Sequence, residues 1–358
     1  MIQRYLGNKN SIADYIISEI DRFCVPGDIV CDIFSGTVSM SMALKKHGYR
    51  VISNDISYFS YHFANFYLKN NCIPDFDLKA LGIDKVNDTE VDNQIEGQRG
   101  KDGFLFLDNV SNEVKFKKIA IILRYLEQIN DDAINKENIN HYFYDIYTEE
   151  GDNSKFCSKR GSIGNRRFFS PANGKRLDTI MNKIREWYQM DVLTDLQYSL
   201  LISVVCESVE KISNTQGTYH DFQRKGYDAR ALNPLTLRWP AFDAIIGTNN
   251  SHIIGKCQDS LTFIEKVPEH SLMYVDPPYN FRQYTSYYFM LNLLSSYCEI
   301  DDLAEYFSKI KYVRGQNMED DFDSTFCRSN LFIPSLTELI KKAPREFNKQ
   351  VQIYFICL

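Results

Sequence analysis

The sequence predicts an α/β fold built on a parallel sheet and interrupted by a long insertion. Residues 1–72 alternate short apolar runs with helical patterns in the order strand, helix, strand, helix, the signature of parallel strands covered by crossover helices. Residues 73–249 break that rhythm, and residues 250–358 return to it. The simplest organisation is one α/β domain made of 1–72 and 250–358, split by an insertion over 73–249.

The elements follow in chain order. Ile12, Ile16, Ile17, Ile20 and Phe23 recur at helical spacing, and Ser11 with Asp14 offers an S-x-x-D start. Residues 29–34, Ile-Val-Cys-Asp-Ile-Phe, read as a buried strand, and 39–47 as a helix stopped by Gly48. A second strand over 50–55 precedes an aromatic-rich helix over 58–68. The insertion opens on an acidic segment containing Asp84, Asp88, Glu90, Asp92 and Glu96, then passes through an apolar stretch at 116–129. Between Ser154 and Arg185, nine Lys and Arg stand against the single acid Asp178, a net +8 in 32 residues. A helical pattern runs over 196–212, and further strands are expected at 253–258, 272–275 and 351–357.

Composition excludes several classes. A chain of 358 residues with 44% apolar and 25% charged residues can bury a sizeable core. The net charge of −6 rules out a wholly basic nucleic-acid coat, so any such surface must be local. Nine Cys without a C-x-x-C pair read as reduced thiols in a cytoplasmic protein. The six His show no ligand spacing, and no metal is expected. The N-terminal residues lack an apolar signal core, and the longest apolar stretches, 119–123 and 200–206, fall short of the roughly 20 residues a membrane span needs.

The sharpest chemical signal is Leu272-Met-Tyr-Val-Asp276-Pro277-Pro278-Tyr279. A strand's carboxyl end is where open α/β sheets bind ligands. Two prolines stiffen the turn and remove two N–H donors, so the loop offers acceptors only. That suits a substrate with an amino group, for which Tyr279 supplies a stacking face. The bland alternative is a rigid strand exit. Asp32-Ile-Phe34-Ser-Gly36-Thr37 follows the first strand and opens a helix; Gly36 lets backbone approach a ligand, or merely makes a turn. Asp55, 19 residues past Gly36, stands where an acid holds a ribose diol, or caps a helix. Lys9, before the first helix, offers a cation for a carboxylate. Asp259 accepts from an adenine amino group or caps a turn.

Together these residues resemble a Dam-type DNA adenine-N6 methyltransferase. Tyr5-Leu-Gly7-Asn-Lys9 is similar to the family's N-terminal cofactor motif, and Asp32-Ile-Phe-Ser-Gly-Thr37 to its S-adenosylmethionine loop. Asn54-Asp55 matches its ribose acid, and Asp276-Pro-Pro-Tyr279 its catalytic motif. Asn280, Arg282, Gln283 and Tyr284 extend the match towards a restriction–modification branch, as do Asn165-Arg-Arg-Phe-Phe169, Asn173-Gly174 and Gly217-Thr-Tyr219. The resemblance implies a Rossmann-like S-adenosylmethionine-dependent methyltransferase sheet interrupted by a mostly helical target-recognition insertion. It implies double-stranded DNA as substrate, a cognate restriction endonuclease as partner, and no membrane. Two departures stand out. Val38 replaces a usually small residue of the cofactor loop, and its branched side chain is expected to crowd the methionine moiety of the cofactor or to force a different turn. The chain stops at Ile356-Cys357-Leu358 where the family usually continues, so a truncation is expected.

In the mechanism this implies, Asp276 and the Pro277 carbonyl accept both N6 hydrogens of an extruded adenine, and Tyr279 stacks on the base. Arg166, Arg167, Lys175 and Arg176 are expected at DNA phosphates, with Arg224, Lys225 and Arg230 in second rank. The alternatives are an RNA adenine methyltransferase and a truncated, non-catalytic remnant that binds cofactor or DNA.

Overall fold

The computed structural model describes Tyr5 and residues 9–83, 88–96, 109–215, 220–242, 245, 251–278 and 281–344. Helix α1 (Ala13–Ile20) buries Ile16, Ile17 and Ile20, as their spacing predicts. Its N-cap is Ile12 and no side chain caps it, so the expected Ser11 start is not used. Strand β1 (Ile29–Asp32) leads into α2 (Ser39–Lys46). Gly48 ends that helix at φ +90°, its N–H and that of Tyr49 closing onto Lys45 and Leu44. Strand β2 (Arg50–Ser53) is followed by α3 (Tyr58–Phe63), which widens into a π turn over Ala64–Leu68.

The residues between β2 and the next sheet strand are mostly helical: α4 (Asp88–Glu96), α5 (Val110–Gln128), α6 (Tyr142–Tyr147), α7 (Pro171–Gln189) and α8 (Asp195–Ile212). Between α6 and α7 an antiparallel hairpin pairs β3 (Lys155–Cys157) with β4 (Ile163–Asn165). Ser170 caps α7 with Pro171 in its first turn, and Thr194 with Gln197 forms a capping box on α8. The chain returns to the sheet with β5 (Ile253–Ile254), α9 (Ser260–Phe263) and β6 (Leu272–Tyr274). It continues through α10 (Tyr284–Tyr287), α11 (Phe289–Ser296), α12 (Leu303–Ser308) and α13 (Phe332–Lys342). The expected strand at 351–357 lies outside the described residues. The other expected strands are present but two to four residues shorter at their carboxyl ends for 29–34, 50–55 and 253–258, because there the backbone leaves the ladder to build the site.

The sheet runs β5-β2-β1-β6, and every pairing is parallel. Strand side chains alternate between faces. Val30 and Val51 join the large apolar cluster with α1, α2 and α3, while Cys31, Ile33 and Ile52 pack with Phe263, Ile264 and Leu339 on the other. The large cluster continues through Phe116, Trp187 and Leu200 to Leu294, so the helices after β2 share a core with one face of the sheet. No helix among the described residues is long and apolar enough to cross a membrane.

From β1 the chain moves outward to β2 and β5, then returns to the other side of β1 as β6. The order therefore reverses between β1 and β6, the switch point at which open α/β sheets leave a crevice beyond their strand ends.

Candidate active site

A cavity of about 920 Å³ opens at this switch point, lined from the carboxyl ends of all four strands. Asp32 closes β1 and is buried; one of its oxygens accepts from Ser41 Oγ at 2.6 Å. Its other oxygen has no hydrogen-bond partner among the described residues. Burial raises this carboxyl to about 7, the charges of Asp276 and Asp55 adding to the effect and the Ser41 hydrogen bond opposing it.

The turn after Asp32 needs a glycine. Gly36 has φ +50°, and a Cβ there would sit 2.9 Å from Tyr5 Cε1 and Oη. Tyr5 presses on it from an aromatic cluster, stacked on Tyr288 at 4.4 Å and edge-on to Tyr284 and Phe59. Burial raises the Tyr5 hydroxyl well above its ordinary value, so it stays neutral. The Gly36 N–H donates to Asp55 at 2.9 Å, and the other Asp55 oxygen accepts from Ser57 N at 2.9 Å. Asp55 therefore splints the turn to the β2 tip, while its remaining lone pairs stay available to the cavity it lines. Val38 takes the left-handed conformation at φ 64°, costly for a branched residue, and is fully buried.

Past β5, Asn54 donates to the Gln258 carbonyl at 2.9 Å and leaves its own oxygen without a partner among the described residues. Gly255 is required beneath it, because a Cβ would lie 2.1 Å from that oxygen. Asp259 caps α9 through Thr262 N and also lines the cavity. Phe34 lines the cavity and packs edge-on against Phe326 at 4.9 Å.

Asp276 stands two residues past β6, with Pro277 and Pro278 beside it on the cavity wall. Its Oδ2 is 2.8 Å from Lys9 Nζ, and both side chains are largely buried, 25% and 11% exposed. Lys9 thus pairs with a carboxylate of the protein itself, and Ile12 N closes a turn onto the Lys9 carbonyl before α1. Tyr279 and Gly7 lie outside the described residues, as do Asn280 and Gly217-Thr-Tyr219. Among the described residues no three His, Cys, Asp or Glu side chains gather as a metal site.

The basic stretch is corrected by the structure. Arg166 is buried and donates to the carbonyls of Asn153, Tyr312 and Val313. Arg176 donates to Leu126 and Ile129 carbonyls at the end of α5. Burial lowers both guanidinium groups below their ordinary value, and neither is placed to meet a phosphate. Arg167 pairs with Glu149 at 2.6 Å. Only Lys175 of the four is exposed, its ammonium over the Tyr144 ring at 4.6 Å. Arg224 packs over Phe222 and pairs with Asp221, and Arg230 holds the Ser213 and Thr215 carbonyls. On helix α7, Arg176, Lys183 and Arg185 hold carbonyls of neighbouring segments. Besides Lys175 and Arg224, the exposed cations of this region are Lys155, Lys159 and Arg160 on the β3–β4 hairpin and Lys225 beyond it.

Sequence reasoning missed Thr285, Phe322 and Ser324 on the cavity wall. Phe322 and Ser324 come from a segment without periodicity or motif, and only long-range folding brings them in. Gln283 and Tyr284 were legible through the extended motif, though not their task.

A family model described as D12 class N6 adenine-specific DNA methyltransferase matches residues 5–352. Type II methyltransferase M.FokI of Planomicrobium okeanokoites is 28% identical over 95% of this chain and 43% of its own length. Modification methylase StsI of Streptococcus sanguinis is 28% identical over 80% of the chain and 35% of its own. Type II methyltransferase M.NlaIII of Neisseria lactamica is 23% identical over 96% of the chain and 81% of its own. The chain spans less than half the length of the first two. No solved structure matches it with significance.

Proposed function

Since the chain belongs to the D12 class N6 adenine-specific DNA methyltransferase family, we propose that it moves a methyl group from S-adenosylmethionine to the N6 amino group of an extruded adenine in duplex DNA, as the modification arm of a restriction–modification system. The observation that carries this reading is the acceptor-only corner Asp276-Pro277-Pro278 opening into the switch-point cavity.

The residues lining the cavity suit the cofactor. Asp55 would hold the ribose diol and Asp259 the adenine amino group, with Asp32, Phe34 and Gly36 along the methionine end. The unpartnered buried oxygen of Asp32 suits a cationic N–H donor. When bound, S-adenosylmethionine supplies an electrophilic methyl on a sulfonium centre. The chain's own residues prepare the nucleophile. Lys9 holds one Asp276 oxygen, which leaves the other to accept one N6–H while the Pro277 carbonyl accepts the second. Both hydrogens then lie on the acceptor side, and the nitrogen lone pair is freed from the ring and turned towards the cavity. After transfer N6 carries an acidic proton that solvent removes, so Asp276 needs no strong basicity.

The helices over 73–249 serve target recognition in this reading. The exposed Lys155, Lys159 and Arg160 of the hairpin, with Lys175, take the phosphate contacts. The test is labelled methyl transfer to duplex DNA and to structured RNA, with the product identified by mass spectrometry of nucleosides. N6-methyladenine in DNA alone is the expected result; methylation of RNA alone would overturn the DNA reading.

A further inference from the structure

We propose that Phe322 is a second stacking surface for the extruded adenine, and that Gln283 is the residue that positions it. The proposal rests on the adenine-N6 reading above and concerns the substrate half of the same cavity.

The strand order divides the cavity. Asp55 and Asp259 stand at the tips of β2 and β5, and Asp276 at the tip of β6. Three interstrand spacings separate β5 from β6, about 14 Å at the usual strand separation. One purine cannot reach both ends. An aromatic wall on the β6 side therefore serves the base whose amine meets Asp276. Phe322 lines the cavity together with Asp276, and its backbone is tied to Thr285, nine residues along the chain from Asp276.

Phe322 lies on an irregular strap, yet its backbone is tied at both polar atoms. Its N–H donates to Thr285 Oγ1 at 2.9 Å, and the same hydroxyl donates to its carbonyl at 3.4 Å. Two residues on, Gln283 grips the strap as a neighbouring strand would. Its side-chain oxygen accepts from Ser324 N at 2.8 Å, and its amide N–H donates to the Ser324 carbonyl and to Asp323. Gln283 and Thr285 belong to the segment that leaves the Asp276 corner. The catalytic corner and the aromatic wall are therefore positioned by one stretch of chain. A wall held only for stability would not need both of its ties to come from the residues seven and nine places after Asp276. Phe322 is half-buried rather than buried, which leaves ring surface for a ligand.

Base–aromatic stacking sets the size of the effect, about tenfold or more on removal of the ring. The test is steady-state methyl transfer from labelled S-adenosylmethionine to unmethylated plasmid DNA, with cofactor affinity measured separately by calorimetry. Phe322→Ala is expected to lower kcat/KM for DNA about tenfold or more while cofactor affinity stays within twofold, and Phe322→Tyr to restore most of the loss. Gln283→Leu should give the same pattern, and the double variant should be no worse than Phe322→Ala alone, since both changes remove one wall. Full activity of Phe322→Ala would overturn the proposal, and so would a loss of cofactor affinity in step with activity. A parent chain that binds S-adenosylmethionine but leaves no N6-methyladenine in DNA overturns the underlying activity reading, and the wall assignment with it.

Discussion

Asp32 is the residue whose chemistry is most shaped by burial. Its carboxyl is raised to about 7, above the 3.8 expected in an unfolded chain. The folded state thus prefers the protonated form, and this group weakens the fold as pH rises from about 4 through 7, with the full cost above 7. Asp32→Asn removes that cost. It should raise Tm at pH 8 by a few degrees and by much less at pH 4.5, read by calorimetric melts; an equal shift at both pH values would contradict the assignment. A cationic cofactor group beside the unpartnered oxygen favours ionised Asp32, so the same substitution should weaken S-adenosylmethionine binding. The acid at this position was legible from its place between strand and glycine. Its solitary oxygen was not, because isolation from partners is a property of packing.

Among the elements, α7 carries the clearest lesson. A run of cations in sequence reads as a surface, yet Arg176 on α7, like Arg166 ahead of it, donates to backbone carbonyls of neighbouring segments. Charge density along a chain does not report which way side chains point. Arg176→Ala should cost about 2–3 kcal/mol in urea unfolding, since it strips a charged donor from α5's last carbonyls, and should leave the salt slope of DNA binding unchanged. Neutralising Lys159 and Arg160 should do the reverse, lowering the slope of log affinity against log salt by about 2. A slope that follows Arg176 and ignores the hairpin would refute the relocated footprint. The periodic elements, α1, α2 and α8, were readable in advance. The strands were read long because apolar residues such as Ile33 and Phe34 continue past the ladder into the turn.

For the whole molecule, the parallel sheet and its interruption follow from alternating patterns, while the strand order does not. Nothing local states that β6 lies beside β1 rather than beyond β5, and that placement creates the crevice. The apolar cluster that links the sheet face to α5, α7 and α8 has a consequence for unfolding. Trp187 and Trp239, the only two tryptophans, both lie between β2 and β5. Their fluorescence and far-ultraviolet circular dichroism should report the same urea midpoint, as one cooperative unit requires. A separate, earlier fluorescence transition would show that the inserted helices fold on their own.

In the proposed reaction Asp276 orients the N6 amine as an acceptor and leaves cofactor affinity untouched. The direct measurement is single-turnover methyl transfer to duplex DNA by Asp276→Ala, paired with calorimetric S-adenosylmethionine binding. The predicted result is a rate lower by about 10²–10³ with a cofactor Kd within about threefold. Transfer at the parent rate, or a Kd that weakens as much as the rate falls, would contradict it.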